Sequence, residues 1–192
     1  MKKVTVIAAL AFTLFSFIAI ESTLWSVDAA HSRLGFSINH LGLADINGDF
    51  KSFDSKITAT KADFSDAVVE LSADVATINT GNEMRDGHLK GADFFDVEKF
   101  PKLTFKSTSF KKGKGNNYIL VGDLTLHGVT KPVTLNATYN GAMTHPMSKK
   151  EMTGFKVTGK IKRSDFAVAP EMSAPMLADD VYLHADLEFA KN

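Results

Sequence analysis

Histidines are the residues of this sequence best suited to binding a metal ion or moving a proton, and six occur: His31, His40, His88, His127, His145 and His184. No two are spaced as His-x-His or His-x-x-x-His, and no His-Glu-x-x-His motif is present. Such spacings place two ligands on one side of a strand or helix, where a single ion can reach both. The sequence gives a metal site no local support, and we predict none.

Nucleophilic catalysis has equally little support. Asp28, His31 and Ser32 are close in sequence, but a catalytic triad is a spatial arrangement that sequence proximity does not define. The Gly-x-Ser-x-Gly turn that exposes a serine nucleophile is absent, and so is cysteine. We therefore predict that the protein is not an enzyme.

The overall composition removes further classes of function. The chain has 192 residues, which is the length of one domain, and its 22 basic and 22 acidic residues give no net charge. A nucleic-acid-binding protein needs a basic face to displace counterions from phosphates, so no nucleic-acid partner is expected. The absence of cysteine excludes disulfides and thiolate-bound clusters.

The first 22 residues have the form of a secretory signal peptide. A positive start at Lys2 and Lys3 precedes a largely apolar run, residues 4–20, which Glu21 ends. The cleavage signal is poor, and a cut near Ser22 is favoured. We expect a mature domain over residues 23–192 in the periplasm or outside the cell; an uncleaved N-terminal anchor is the alternative.

The elements that would position any site are mostly strands. Apolar and polar residues alternate over 31–41, 69–75, 102–106, 118–127, 133–139, 155–161 and 181–189, with further strands expected at 24–27 and 50–59. Turns are predicted at Asn47-Gly48, 111–117, His127-Gly128 and Asn140-Gly141. Short strands joined by short turns predict an all-β, antiparallel sandwich or barrel of about eight strands.

One segment interrupts the strands. Residues 80–101 include a run of helical composition from Asn82 to Lys90, which Thr80 or Asn82 could cap. Phenylalanine is also frequent: there are 15, of which Phe12, Phe15 and Phe17 belong to the signal peptide. The others fit either a packed core or the wall of an apolar cavity, since an eight-stranded barrel can do either.

Three segments resemble the YceI-like family of polyisoprenoid-binding periplasmic proteins. They are residues 25–42 (WSVDAAHSRLGFSINHLG), 78–101 (INTGNEMRDGHLKGADFFDVEKFP) and 122–133 (GDLTLHGVTKPV). The resemblance implies an extended, lipocalin-like antiparallel β-barrel with a short helix over it. It also implies a tunnel that holds a long-chain isoprenoid lipid, such as a polyprenyl chain, an isoprenoid quinone or a similar amphiphile.

On this basis we expect an exported lipid carrier that needs no cofactor beyond the bound lipid. The residues expected to include most of the tunnel lining are Phe36, Ile38, Phe53, Leu71, Val75, Met84, Leu89, Phe94, Phe95, Phe105, Leu124, Leu126, Phe155, Ile161, Phe166 and Leu183. The helix around Met84 to Leu89 is the expected lid. Transient membrane contact and a homodimer through exposed barrel strands are compatible with this role.

Two other functions stay open at this point. A lipid-modifying hydrolase or isomerase could use the same cavity, with His31, His40 and His127 as the first residues to test. A stress-response protein with a solid core and no ligand would need none of these groups.

Overall fold

The computed structural model describes residues 21–192. The predicted signal peptide therefore lies almost wholly outside the described residues. No helix within residues 21–192 combines the length and the apolar content that a membrane span requires. The secondary structure consists of β1 (Thr23–Val27), β2 (Arg33–His40), β3 (Ala44–Phe50), β4 (Phe53–Ala59), β5 (Val68–Asp74), β6 (Ile78–Asn79), α1 (Glu83–Leu89), β7 (Lys102–Lys112), β8 (Asn117–Leu126), β9 (Val129–Thr144), β10 (Glu151–Lys162) and β11 (Leu177–Lys191).

Alternation along the strands separates an inner from an outer face. In β8, Tyr118, Leu120, Leu124 and Leu126 are buried, and every residue between them is more exposed, apart from Gly122, which lies on the buried side. Successive side chains of a strand point to opposite faces, so this pattern puts one apolar row inside the sheet. The strand predictions made from alternation are confirmed.

The sheet closes into a barrel. β1, β4, β5, β7, β8, β9, β10 and β11 are hydrogen-bonded in that order, and β11 pairs back to β1, with every pairing antiparallel. Closure leaves no free edge in this ring of eight strands. The predicted all-β, antiparallel barrel of about eight strands with one short helix is confirmed.

Three strands extend the sheet beyond the closed ring. β2 continues along β11 beyond β1, β3 pairs with β2, and β6 pairs with the Phe50 end of β3. The chain then leaves the sheet at Asn79, forms α1 and returns at Lys102 to begin β7. We call this end of the barrel, where β2 turns into β3, the mouth end.

Aromatic side chains fill the opposite end. Phe155 packs against Phe64 and Tyr139 with ring centroids 5.3 and 5.4 Å away, and against three further rings at up to 6.4 Å. Phe64 reaches this cluster from the loop between β4 and β5, which the Tyr118 hydroxyl anchors by donating to the Asp63 carbonyl (2.6 Å). We call the whole cluster the aromatic plug: Trp25, Phe64, Phe110, Tyr118, Tyr139, Phe155 and Phe189.

Two of the predicted turns are wrong. Asn47-Gly48 lies inside β3 and Asn140-Gly141 inside β9, whereas the β2–β3 turn uses Leu41 and Gly42, both with positive φ. Glycine marks a turn only when its backbone freedom is needed there. In a strand it also marks the close approach of another group, which is the role of Gly48.

Candidate functional site

An apolar cavity of about 430 Å³ occupies the barrel interior between the mouth end and the aromatic plug. At the mouth end its wall includes His40, His88 and Met176, all of them solvent-exposed, so the cavity reaches the surface there. Deeper in the barrel the wall includes Val69, Leu120 and other buried aliphatic residues. The volume lies in the range typical of small-molecule sites, which are concave and mostly apolar.

Most residues predicted to line a tunnel do line this cavity. They come from six strands, from α1 and from the segment that follows α1: Phe36, Ile38, Leu71, Leu89, Phe94, Phe95, Phe105, Leu124, Leu126, Ile161 and Leu183. For the strand residues the inward direction follows from alternation, and Leu89, Phe94 and Phe95 reach the wall from α1 and the segment after it. Their role in holding a ligand stays a prediction.

Five of the predicted residues are not part of the wall. Phe155 belongs to the aromatic plug, and Phe53 packs between the two apolar clusters of the barrel. Val75 and Phe166 are each 1% exposed inside short 3-10 turns, where they fill space between elements. Met84 is 86% exposed, because α1 turns its Leu89 side toward the barrel and Met84 toward solvent.

Several wall residues were missed. Leu34, Leu103 and Leu120 lie on the same inward faces of β2, β7 and β8 as predicted residues, whereas Ile46, Phe50 and Leu135 lie on β3 and β9, from which no lining residue was predicted. Alternation was the signal that could have found them. Thr80 and Arg85 were also missed, and for those polar residues no pattern in the sequence indicated an inward position.

Three inward glycines shape the wall. A Cβ built at Gly48 would overlap the Phe36 ring, one at Gly122 the Phe105 ring, and one at Gly159 the Leu135 side chain. Each large side chain therefore lies against the bare backbone of a neighbouring strand. Such close approach is a recognised use of glycine within a sheet, and it keeps these side chains out of the cavity.

The polar edge of the mouth is built on α1. Asn82 caps the helix by accepting from Arg85 N (3.0 Å), so of the two predicted caps it is the one used. Asp86 is 9% exposed and accepts from both the backbone N–H and the hydroxyl of Thr80 (2.8 and 2.6 Å). Arg85 in turn donates from Nε to the Thr80 hydroxyl (2.7 Å) and from Nη2 to the Thr80 carbonyl (2.8 Å).

A second arginine holds the loop between β10 and β11. Arg163 is 5% exposed, and its five N–H groups donate to five carbonyl oxygens: those of Ala178, Val168, Ala169, Met172 and Leu177. A guanidinium has five donors, so every one has a partner. This arginine fixes residues 167–178 along one side of the mouth.

Of the residues considered for hydrolysis, Asp28, His31, Ser32 and His127 lie outside the cavity wall, whereas His40 is part of it at the mouth end. His31 Nδ1 is 2.9 Å from Asp28 Oδ2, and this hydrogen bond raises the pKa of His31 and lowers that of Asp28. The Ser32 hydroxyl accepts a hydrogen bond from the backbone N–H of Glu188 (2.9 Å), so this hydroxyl already has a partner on the barrel surface. Asp28 also accepts from Ala30 N, so its carboxylate caps a 3-10 turn.

Asp28, His31 and Glu188 lie close together in the structure. One possible metal-ligand atom from each of these residues lies within 4.8 Å of the others, which is close enough for one ion to contact all three. None of the three residues is buried. The capping role of Asp28 accounts for the arrangement without an ion. The prediction that the protein binds no metal stays a prediction.

A closed antiparallel barrel around an apolar cavity with one polar mouth defines the class of β-barrels built to enclose a ligand. The sequence model of the YceI-like domain matches residues 25–189. A UPF0312 protein of Staphylococcus aureus (strain N315) is 37% identical over 172 residues, and the match covers 88% of this chain and 98% of that protein. The chain belongs to the YceI-like domain family.

Solved structures agree in fold over nearly their whole length. The YCEI protein of Campylobacter jejuni has a TM-score of 0.73 and 34% identity, over 86% of this chain and 96% of that one. BcnA of Burkholderia cenocepacia has a TM-score of 0.76 and 26% identity, over 84% and 98%. A polyisoprenoid-binding domain of Saccharophagus degradans has a TM-score of 0.62 and 17% identity, over 88% and 98%, and shows the fold alone.

Proposed function

We propose that this protein is an exported carrier that holds the apolar chain of a polyisoprenoid lipid, such as a polyprenyl lipid or an isoprenoid quinone, inside its barrel. The observation that carries the proposal is the cavity: about 430 Å³ of apolar space, open at the mouth end and closed by the aromatic plug. The name of the Saccharophagus degradans domain supports the choice of a polyisoprenoid.

The energetics favour a long apolar chain. Burying one CH₂ group contributes about 0.8 kcal/mol, so each isoprene unit adds several kcal/mol before the entropy of ordering is subtracted. The wall supplies branched aliphatic and aromatic side chains over most of its depth, with polar groups concentrated at the mouth. Binding of this kind needs no catalytic group.

Extraction of lipid from the purified protein tests the proposal. We expect mass spectrometry to find a polyisoprenoid in native protein, and Val157→Phe to reduce its amount severalfold, because Val157 lies in the cavity wall. Val68→Phe is the matched control, since Val68 is 43% exposed on β5 and takes the same added ring into solvent. Native protein that repeatedly carries no lipid and takes up none from vesicles would overturn the proposal.

Transfer of such a lipid requires contact with a membrane, and we propose that the mouth end makes it. Leu43 is 83% exposed and Met84 is 86% exposed, while Met176, at 55%, lies beside the β2–β3 turn, where Leu41 N donates to its carbonyl (3.2 Å). Exposed apolar groups around an opening mark a surface suited to an apolar partner. A chain leaving the bilayer would enter the cavity directly.

The rate of lipid uptake from phospholipid vesicles measures this contact. We expect Leu43→Gln with Met84→Gln to slow uptake severalfold. The pair Met143→Gln with Met147→Gln is the control, because these methionines are 62% and 85% exposed at the plug end of the barrel. Equal uptake rates for the two double variants would refute a role for the mouth end.

A further inference from the structure

The charged side chains of the cavity wall are all of one sign. Among residues 21–192, the wall contains two arginines, Arg85 and Arg163, and three histidines, but no aspartate or glutamate. Apolar cavities usually carry a few polar groups that fix the orientation of the ligand. The sign of those groups at the mouth therefore indicates which end group the cavity accepts.

Arg163 does not have donors to offer a ligand. Its five N–H groups are all bonded to backbone carbonyls of the loop it holds. Replacing those carbonyls with a ligand would undo the loop. The histidines of the wall are not held as Arg163 is. His88, for example, is exposed and packs edge-on against Phe94, with ring centroids 4.8 Å apart.

Arg85 is placed differently. It is half-buried in the wall, and Nε and one N–H of Nη2 are used by Thr80. In the part of the chain that the structure describes, no carboxylate lies within 4.0 Å of its guanidinium, and its remaining three N–H groups make no hydrogen bond to protein. A planar guanidinium with free parallel donors matches the two oxygens of a carboxylate or phosphate.

The neighbouring residues hold this guanidinium in position. Thr80, which accepts from Arg85, is itself fixed by two hydrogen bonds to the nearly buried carboxylate of Asp86. The Asp86 charge is thereby engaged with Thr80 and is not part of the cavity wall. The arginine is pre-organised, so little side-chain entropy would be lost on binding an anion.

We propose that Arg85 is an oxyanion site for the head group of the ligand, and that the cavity selects amphiphiles that end in a carboxylate or a phosphate over neutral ones. This inference rests on the proposed function, since it concerns the end group of the same apolar ligand. The head group lies at the mouth beside α1, and the chain runs toward the aromatic plug.

Tetraprenyl probes with one common tail test the proposal. The dissociation constants of tetraprenyl alcohol, carboxylic acid and monophosphate are measured by calorimetry with the native chain and its variants. We expect both anions to bind about tenfold or more tighter than the alcohol, as for other hydrogen bonds to a charged group. The acid and the phosphate are separate arms, and their ratio shows which oxyanion fits better.

The variants assign that preference to Arg85. The quantity compared is the ratio of the alcohol constant to the acid constant, which cancels any general change in tail binding. Arg85→Gln is expected to bring the ratio close to one, Arg85→Lys to keep part of it, and Lys106→Gln, on the barrel exterior, to leave it unchanged. An unchanged ratio in Arg85→Gln, or a native ratio near one, overturns the inference alone, whereas failure of every probe to bind overturns the proposed function too.

Discussion

Replacing Gly48 by alanine tests whether the cavity depends on the close approach of Phe36 to β3. Gly48 lies directly opposite Phe36, and a Cβ at position 48 would overlap two atoms of its ring. The next nearest atom is the Thr80 methyl at 3.1 Å, so no backbone atom is among the three nearest. Because the cavity is the open space beside the ring, we expect the ring to swing into it.

The unliganded protein should tolerate this change. Alanine in a strand interior is favoured over glycine by about 0.5 to 1 kcal/mol, because glycine loses more freedom on folding. The ring pair of Phe36 and Phe50, with centroids 6.0 Å apart, contributes about 0.5 to 1.5 kcal/mol, which the displaced ring would forfeit. The two effects nearly offset, so we expect the free energy of unfolding to change by less than about 1 kcal/mol.

Binding should suffer far more. A ring displaced into the cavity excludes about one isoprene unit of the ligand, and at about 0.8 kcal/mol per CH₂ this weakens binding by up to about 4 kcal/mol. That is about a thousandfold in Kd. Calorimetric titration with tetraprenyl alcohol measures the Kd, and urea unfolding of the lipid-free protein measures stability.

Two variants make the result specific. Gly154→Ala is the matched control, because the nearest atom to its added methyl is 3.5 Å away, an ordinary contact. In the Gly48→Ala background, Phe36→Leu removes the ring and should restore much of the affinity. If Gly48→Ala binds the probe as tightly as the native chain, the proposed link between this glycine and the cavity is refuted.

Three further changes probe the rest of the fold. Arg163→Met leaves five carbonyls without their donor and should lower the free energy of unfolding by about 3 kcal/mol or more. Urea unfolding measures this loss, with the exposed Lys162→Met as the control. Equal stability of the two variants would contradict the role of Arg163 in holding the loop. Phe155→Ala removes the ring at the centre of the aromatic plug and should cost about 3 to 5 kcal/mol by calorimetry, and a loss below about 1 kcal/mol would mean that the plug is not tightly packed. The hydrogen bond between His31 and Asp28 raises the pKa of His31 above 6.5 and lowers the pKa of Asp28 below 3.8. The stabilisation from this hydrogen bond is therefore fullest between pH 3.8 and 6.5. It is lost as the pH rises through the His31 pKa, and it is also lost as the pH falls through the Asp28 pKa. An NMR titration should show the His31 pKa returning toward 6.5 in Asp28→Asn, and no change on that substitution would remove the assigned cause.

The sequence was sufficient to predict the barrel because its strands alternate cleanly. In β8 the inward row can be read from spacing alone, and the structure places it inward. The three resembling segments also indicate the family from the sequence alone. The turn predictions at glycines were less accurate, because the pair Asn47-Gly48 can mark either a turn or a strand position beneath an aromatic ring.

The cavity wall was predictable only in part, because alternation gives direction and not depth. Phe105 and Phe155 both point inward, yet Phe105 lies in the wall and Phe155 in the plug. Their levels along the barrel axis depend on strand register, which no local pattern specifies. The apolar character of Met84 predicts a place in the wall, but the seven-residue helix α1 places this side chain outward, where it is 86% exposed.

The division of the barrel into two levels explains how one apolar sequence can give both a stable core and a cavity. The interior of an eight-stranded barrel is just wide enough either to be filled by side chains or to hold one ligand. At the plug end, rings such as Phe155 meet edge to face and fill it. Toward the mouth, Phe36 and Phe105 lie against glycines on neighbouring strands, so their bulk is moved to the wall and the axis stays open. Stability is thus concentrated at one end, and the other end can leave apolar surface uncovered for a ligand to bury.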